Sequence, residues 1–147
     1  MKENKNEIVC HRTVDHPRAK VFRAFSEPRF LKEWWGPKGF TNTFQKFEFH
    51  PEGKWEFVMH GPNGVNYKND TRFVEIDPPR RIVTQRLSEP IFRMEMTFEE
   101  QGSKTLVIWK AIFKSQDMRD KIATFAIEAN EQNFDRLEAV LATMGPE

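Results

Sequence analysis

The sequence predicts an α+β fold in which a curved antiparallel sheet of seven strands wraps around one long C-terminal helix. Residues 42–113 alternate apolar and polar side chains with a period of two, which is typical of strands. A segment without glycine or proline runs from Asp117 to Met144, and at 1.5 Å per residue it makes a helix of about 40 Å. A further strand and two short helices are predicted ahead of these segments.

Turn residues set the boundaries of the elements. Residues 8–14 form the first strand, and Pro17 lies in the first turn of a short helix that ends at Pro28. A second short helix, PRFLKEWW, begins there and is ended by GPKG. The six later strands are predicted at TFQKFEFH, KWEFVMH, VNYKNDTRFVEI, RIVTQRL, IFRMEMTFEE and TLVIWKAIF.

Length and composition favour a single domain over residues 1–147, because 147 residues with 38% hydrophobic content suit one core. The formal net charge is +1, with 23 basic and 22 acidic residues along the whole chain, so no electrostatic footprint for nucleic acid or an anionic membrane is expected. One cysteine, Cys10, excludes an internal disulfide framework. The polar start MKENKNE predicts neither a signal peptide nor membrane insertion, and a cytoplasmic location fits best.

Two turns predict which side chains share a face of the sheet. Both 51–53 and 62–64 carry proline first and glycine last, as in three-residue hairpin loops whose glycine takes the left-handed conformation. Without a bulge, Phe73 and Glu75 continue the face that these loops define. The predicted opposite pairs are Phe49 with Trp55, Phe47 with Phe57, Met59 with Tyr67, Phe57 with Asn69, and Trp55 with Thr71.

The long helix should cover this aromatic face, which Met94 and Met96 extend on a later strand. Its apolar stripe includes Phe125 and Ala129, and Asn133 lies at the stripe's centre. A buried amide left unpaired costs about 1 to 3 kcal/mol. Asn133 should therefore bond a core group, or a water or ligand in a cavity between helix and sheet.

Five stretches of the chain resemble one family in order and across almost the whole length. The family is that of the activator-of-Hsp90-ATPase-homologue-like proteins, within the START and birch-pollen-allergen superfamily, some of whose members are labelled polyketide cyclase-like. The resemblance implies the helix-grip fold that the element order also indicates. The matching stretches are VFRAFSEPRFLKEWWGPKGF, HPEGKWEFVMHGPNG, FVEIDPPRRIV, MTFEEQGSKTLVIW and FDRLEAVL.

Two local features bear on the interior that this family encloses. Where the family often has a Gly-Trp pair in the last helix, this chain has Ala129-Asn130, which predicts a pocket of different shape or greater polarity. The segment WWGPKGF resembles the family's loop at the cavity rim. One of Trp34 and Trp35 can pack under the helices while the other lies at the cavity mouth, with Trp35 as the candidate; the alternative is that both are mainly structural.

The sequence carries no catalytic or nucleotide-binding motif, and no cofactor is predicted. The four histidines do not gather in the predicted topology, so no metal site is expected. Cys10 and His11 point to opposite faces of a strand and cannot act as nucleophile and base together. Glu75 is the candidate catalytic residue, because burial on the aromatic face would raise its pKa. The alternative is a pair with an arginine at the sheet edge, with Arg72, Arg86 and Arg93 available.

Three functions remain open at this stage. The favoured one is non-enzymatic binding of a small, largely hydrophobic molecule between sheet and helix. The second is a cyclase or hydrolase in which Glu75, with Tyr67 or a water, moves a proton. The third is stimulation of a chaperone ATPase, which the resemblance implies but which its chaperone-binding members perform with an additional N-terminal domain.

The chain could be a monomer or a homodimer. The candidate ligand-binding residues are Trp35, Phe47, Trp55, Phe57, Met59, Tyr67, Phe73, Glu75, Met94, Met96, Phe125, Ala129 and Asn133.

Overall fold

The computed structural model describes residues 4–145 and confirms the predicted architecture. A seven-stranded antiparallel sheet with strand order β1-β7-β6-β5-β4-β3-β2 carries two short helices between its first two strands and one long helix at the end of the chain. The strands are Glu7–Val14 (β1), Thr41–Phe47 (β2), Lys54–His60 (β3), Asn66–Asp77 (β4), Arg81–Arg86 (β5), Phe92–Gln101 (β6) and Lys104–Phe113 (β7). The helices are Arg18–Ser26 (α1), Pro28–Trp34 (α2) and Gln116–Thr143 (α3).

Helix α3 is fixed to the β1 edge of the sheet by one arginine. Arg12 on β1 forms ion pairs with Glu131, Asp135 and Glu138 at 2.6, 2.6 and 2.9 Å. Three carboxylates on successive turns hold the guanidinium in place, so α3 runs along β1 in a defined register. The helix begins with Ser115, whose side chain caps the backbone N–H of Met118 at 3.2 Å.

The core consists largely of interlocked aromatic rings. Trp109 on β7 packs against Phe134 of α3, Trp34 of α2 and Phe25 of α1, with ring centroids 4.5, 6.1 and 6.2 Å away. The four side chains are at most 3% exposed. This cluster joins the three helices to the sheet, and it fills much of the space that a helix-grip fold could leave open.

The two halves of α3 are buried to very different extents. Its fully buried residues are Asn133, Phe134, Leu137 and Leu141, all in the second half. Between Gln116 and Glu131 every described side chain remains at least partly exposed. The helix is therefore packed tightly in its C-terminal half and loosely in its N-terminal half, which follows β7 in the chain.

The predicted register of the second hairpin is confirmed, whereas the predicted register of the first hairpin is wrong. Met59 lies opposite Tyr67 and Trp55 opposite Thr71. In the first hairpin β2 ends at Phe47, which lies opposite Trp55 rather than Phe57. The cause is a longer connection than predicted, because the backbone N–H of Glu48 donates to the carbonyl oxygen of Lys54 and leaves five residues, 49–53, in the turn. Further along β2, a bulge between Phe44 and Lys46 then places Phe44 opposite Phe57.

The first hairpin turn also uses its glycine differently from the prediction. Glu52 takes the left-handed conformation with φ of 70°, and Gly53 does not. A Cβ at Gly53 would lie 1.9 Å from the carbonyl oxygen of Glu48. The turn thus requires glycine because two backbone segments approach closely there.

Candidate functional site

A small cavity of about 40 Å³ lies on the inner face of the sheet, against the ring of Trp35. Four strands, β3 to β6, supply its floor. Helix α3 begins close by, because its first residues follow Phe113, whose ring centroid is 5.2 Å from that of Phe92. The lining residues are Trp35, Trp55, Phe57, Thr71, Thr84, Arg86, Phe92 and Met94.

The polar part of the lining forms one row across three strands. Trp55 on β3 lies opposite Thr71 on β4, which in turn lies opposite Arg86 on β5. Directly opposed residues on neighbouring antiparallel strands have Cβ atoms about 5 Å apart. The side chains of Trp55, Thr71 and Arg86 therefore leave the sheet side by side, and all three line the cavity.

Arg86 is half-buried and uses only part of its hydrogen-bonding capacity. Its Nε and Nη2 atoms donate to the carbonyl oxygens of Ser88 and Glu89 at 3.1 and 3.0 Å, and Nη1 donates to Oδ1 of Asn69. Burial lowers the pKa of the Arg86 guanidinium from its ordinary value, and the Glu89 carboxylate opposes that shift. The group stays charged, since arginine is not deprotonated in proteins.

Trp55 contributes an unused donor to the same wall. Its side chain is 3% exposed, and its Nε1–H has no hydrogen-bond acceptor among residues 4–145. The ring is held by a stacked contact with Phe57 at 4.5 Å and another with Phe73 at 5.9 Å. A buried indole N–H usually finds a partner, so this unpaired donor beside the cavity is a notable exception.

The two adjacent tryptophans have different surroundings. Trp34 is fully buried and donates from Nε1 to the carbonyl oxygen of Ala24 at 2.9 Å. Trp35 is half-buried and lies against both Trp55 and Trp109, with ring centroids 5.2 and 5.5 Å away. Trp35 is thus a wall of the cavity, whereas Trp34 belongs to the core.

The loop after Trp35 is held by the second half of α3. Asn133 accepts from the backbone N–H of Gly36 at 3.2 Å and donates to the carbonyl oxygen of Trp34 at 2.6 Å. Arg136 donates to the carbonyl oxygens of Gly36 and Pro37, both at 2.9 Å. Gly36 has φ of 103°, and a Cβ there would lie 2.7 Å from the terminal methyl carbon of Met59. Asn133 is therefore a satisfied core amide that positions Trp35.

Glu75 does not lie on the inner face, and that prediction is wrong. A bulge between Phe73 and Glu75 inserts one residue into β4, which turns Glu75 to the other face, opposite Val83. There its carboxylate contacts Nε of Arg81 at 3.3 Å. The edge ion pair is the correct interpretation, although its partner is Arg81 and none of the three arginines named from the sequence.

The other predicted site residues are scattered around the cavity. Trp55, Phe57, Trp35 and Met94 line it. Tyr67 is 44% exposed and Phe125 is 61% exposed, so neither is enclosed in the interior. The remaining residues pack elsewhere: Phe47 and Phe73 against each other, Met96 in the core, Met59 beside Gly36, and Ala129 half-buried on α3.

Arg86, Thr84 and Phe92 were not predicted as site residues. The alternation in RIVTQR places Thr84 and Arg86 on the same face, so the pattern itself was readable. The sequence does not show which face of the sheet this is, because the bulge in β4 changes the pairing of that strand with β5. Thr71 was correctly placed opposite Trp55 but was not recognised as a lining residue.

Within residues 4–145, no three side chains of His, Cys, Asp or Glu lie close enough to hold a metal ion. The helices of this part of the chain are each too short or too polar to span a membrane. The titratable group among the cavity's lining residues is the Arg86 guanidinium, and the lining contains no carboxylate or imidazole.

Comparison with known proteins agrees with this fold. The family model described as activator of Hsp90 ATPase homolog 1-like protein matches residues 15–142. A solved structure from Nitrosomonas europaea is 20% identical with a TM-score of 0.88, and covers 97% of each chain. One from Rhodobacter sphaeroides is 19% identical with a TM-score of 0.89, over 99% of this chain and 98% of that one. A solved structure from Silicibacter pomeroyi, described as the AHSA1 protein, is 19% identical with a TM-score of 0.75, over 93% of this chain and 98% of that one. No curated protein matches significantly. Identities this low show a shared fold alone.

Proposed function

The chain belongs to the activator of Hsp90 ATPase homolog 1-like family, and we propose that it binds a small, largely hydrophobic molecule at the cavity beneath Trp35. The observation that carries this proposal is the small cavity on the inner face of the sheet, beside a loosely packed helix end. Apolar walls with a few polar groups are the usual composition of small-molecule sites. The proposed function needs no reacting group from the protein, which agrees with a lining that offers no acid or base near neutral pH.

Binding requires the cavity to enlarge. Its volume of about 40 Å³ is well below the roughly 300 to 1,000 Å³ of typical small-molecule sites. The side chains of Trp35, Phe92 and Met94 are half-buried, so they can move outward without leaving a core position. Methionine is unbranched and adapts easily to a new neighbour. The first half of α3 has no fully buried side chain to anchor it against such a shift.

Filling the cavity tests this function. The neutral fluorophore N-phenyl-1-naphthylamine is expected to bind the wild type with increased emission. Thr84→Met adds a longer side chain to the lining and should weaken that binding by at least about tenfold. Fluorescence titration measures the affinity, and a thermal melt checks that the variant is folded.

Thr97→Met is the matched control, because Thr97 is half-buried between the inward residues Met96 and Phe98 and does not line the cavity. It should bind the fluorophore like the wild type. A wild type that does not bind it, or equal affinity in both variants, would contradict the proposed site.

A further inference from the structure

We propose that the molecule bound beneath Trp35 carries a carboxylate, which the Arg86 guanidinium binds with help from the indole N–H of Trp55. This inference rests on the proposed function and specifies its ligand as an apolar body with one terminal acid group. It distinguishes such a ligand from a neutral hydrocarbon or a neutral aromatic compound, which the apolar walls alone would accept equally well.

The first argument is that no carboxylate of the described residues contacts the Arg86 guanidinium. Among residues 4–145 it forms no ion pair within 4.0 Å, whereas Arg12, Arg81 and Arg93 each have carboxylate partners. Its three described hydrogen bonds go to neutral oxygens, and a guanidinium has five N–H groups. The Glu89 carboxylate acts on this half-buried cation only from beyond 4.0 Å, so an anion that enters the cavity and contacts the guanidinium directly would be attracted to it.

The second argument is the arrangement of donors. Trp55 and Arg86 flank Thr71 in the row across β3, β4 and β5, and all three line the cavity. The indole N–H lacks an acceptor within the described part of the chain. A carboxylate has two oxygens that accept several hydrogen bonds, which suits a fork of guanidinium donors with a further donor beside it.

The third argument concerns the rest of the ligand. Beyond the polar row, the lining is supplied by Phe57, Phe92, Met94 and Trp35. Aromatic side chains favour flat apolar groups, which stack at ring distances or meet them edge to face. An aromatic or short aliphatic acid therefore matches both parts of the wall.

A structural role for Arg86 is the competing explanation. Arg136 bonds only backbone carbonyls of the loop near Gly36, and Arg86 similarly bonds the carbonyls of Ser88 and Glu89. A purely structural arginine would affect stability when it is replaced, without any preference for charged ligands. Ligand charge is therefore the quantity to vary.

The test compares 2-naphthoate with its neutral isostere 2-naphthamide, each displacing N-phenyl-1-naphthylamine at pH 7. The wild type should bind the acid at least about tenfold more tightly than the amide. Arg86→Gln should abolish this preference, so that the acid and the amide bind the variant with affinities within about twofold of each other. Arg72→Gln is the matched control, because Arg72 is exposed and follows Thr71 on the other face of β4, and it should keep the full preference.

Two further variants keep the test decisive if Arg86→Gln is poorly folded. Arg86→Lys retains the charge but loses the fork, so it should reduce the preference without removing it. Trp55→Phe keeps an aromatic side chain, with a smaller ring that lacks the N–H, and it should also reduce the preference.

The outcomes separate the two proposals. Equal affinity of the wild type for acid and amide would overturn the carboxylate site and leave hydrophobic binding intact. An acid preference that survives Arg86→Gln would also overturn it. If neither naphthalene compound nor the fluorophore binds, the proposed function fails, and the carboxylate site fails with it.

Discussion

Replacing Asn133 by alanine is expected to destabilise the fold by about 3 kcal/mol. The amide satisfies the backbone N–H of Gly36 and the carbonyl oxygen of Trp34, and Asn133 itself is 5% exposed. Its removal leaves two buried backbone groups without partners, each of which costs about 1 to 3 kcal/mol. Chemical denaturation at equilibrium measures the change in the free energy of unfolding.

Asn130→Ala is the control for this change. Asn130 lies on the same helix, is only half-buried, and makes one long contact of 3.5 Å to the Cys10 sulfur. Its replacement should cost less than about 1 kcal/mol. Similar losses in the two variants would mean that the Asn133 contacts add little to stability.

The second large effect is expected at the paired tryptophans. Trp34→Ala should lower the free energy of unfolding by about 4 kcal/mol, because it empties a fully buried site and leaves the Ala24 carbonyl without its donor. Trp35→Ala should cost roughly half as much, since Trp35 is half-buried, but it should change the affinity for N-phenyl-1-naphthylamine. The measurements are denaturant unfolding and fluorescence titration.

The contrast between the two variants is what checks the assignment. Equal losses of stability would contradict the division into a core tryptophan and a cavity tryptophan. An unchanged fluorophore affinity in Trp35→Ala would remove Trp35 from the site, whatever its effect on stability.

The sequence was sufficient to predict the elements and their order, because these depend on local signals. Strand alternation, proline at helix starts and the absence of helix breakers after Asp117 are all visible in the chain. The second hairpin's register also followed, since a three-residue loop with Gly64 in the left-handed conformation fixes the pairing.

The site was less predictable because two bulges decide which side chains face inward. An inserted residue at Gln45 or Val74 leaves an ordinary-looking strand sequence, yet it reverses the face of everything beyond it. Glu75 was placed inside for this reason. Arg86 was considered only as its partner, and its position on the inner face depends on the pairing of β4 with β5, which the sequence does not display.

The attachment of the Trp35 loop to α3 couples the cavity to the second half of that helix. A ligand that moves Trp35 must strain the bonds from Asn133 and Arg136 or carry that part of the helix along. Occupancy of the cavity should therefore alter amide hydrogen exchange around residues 132–137, although those residues do not line it. The rate of amide hydrogen exchange in this turn would therefore report ligand binding, even for a compound without absorbance or fluorescence.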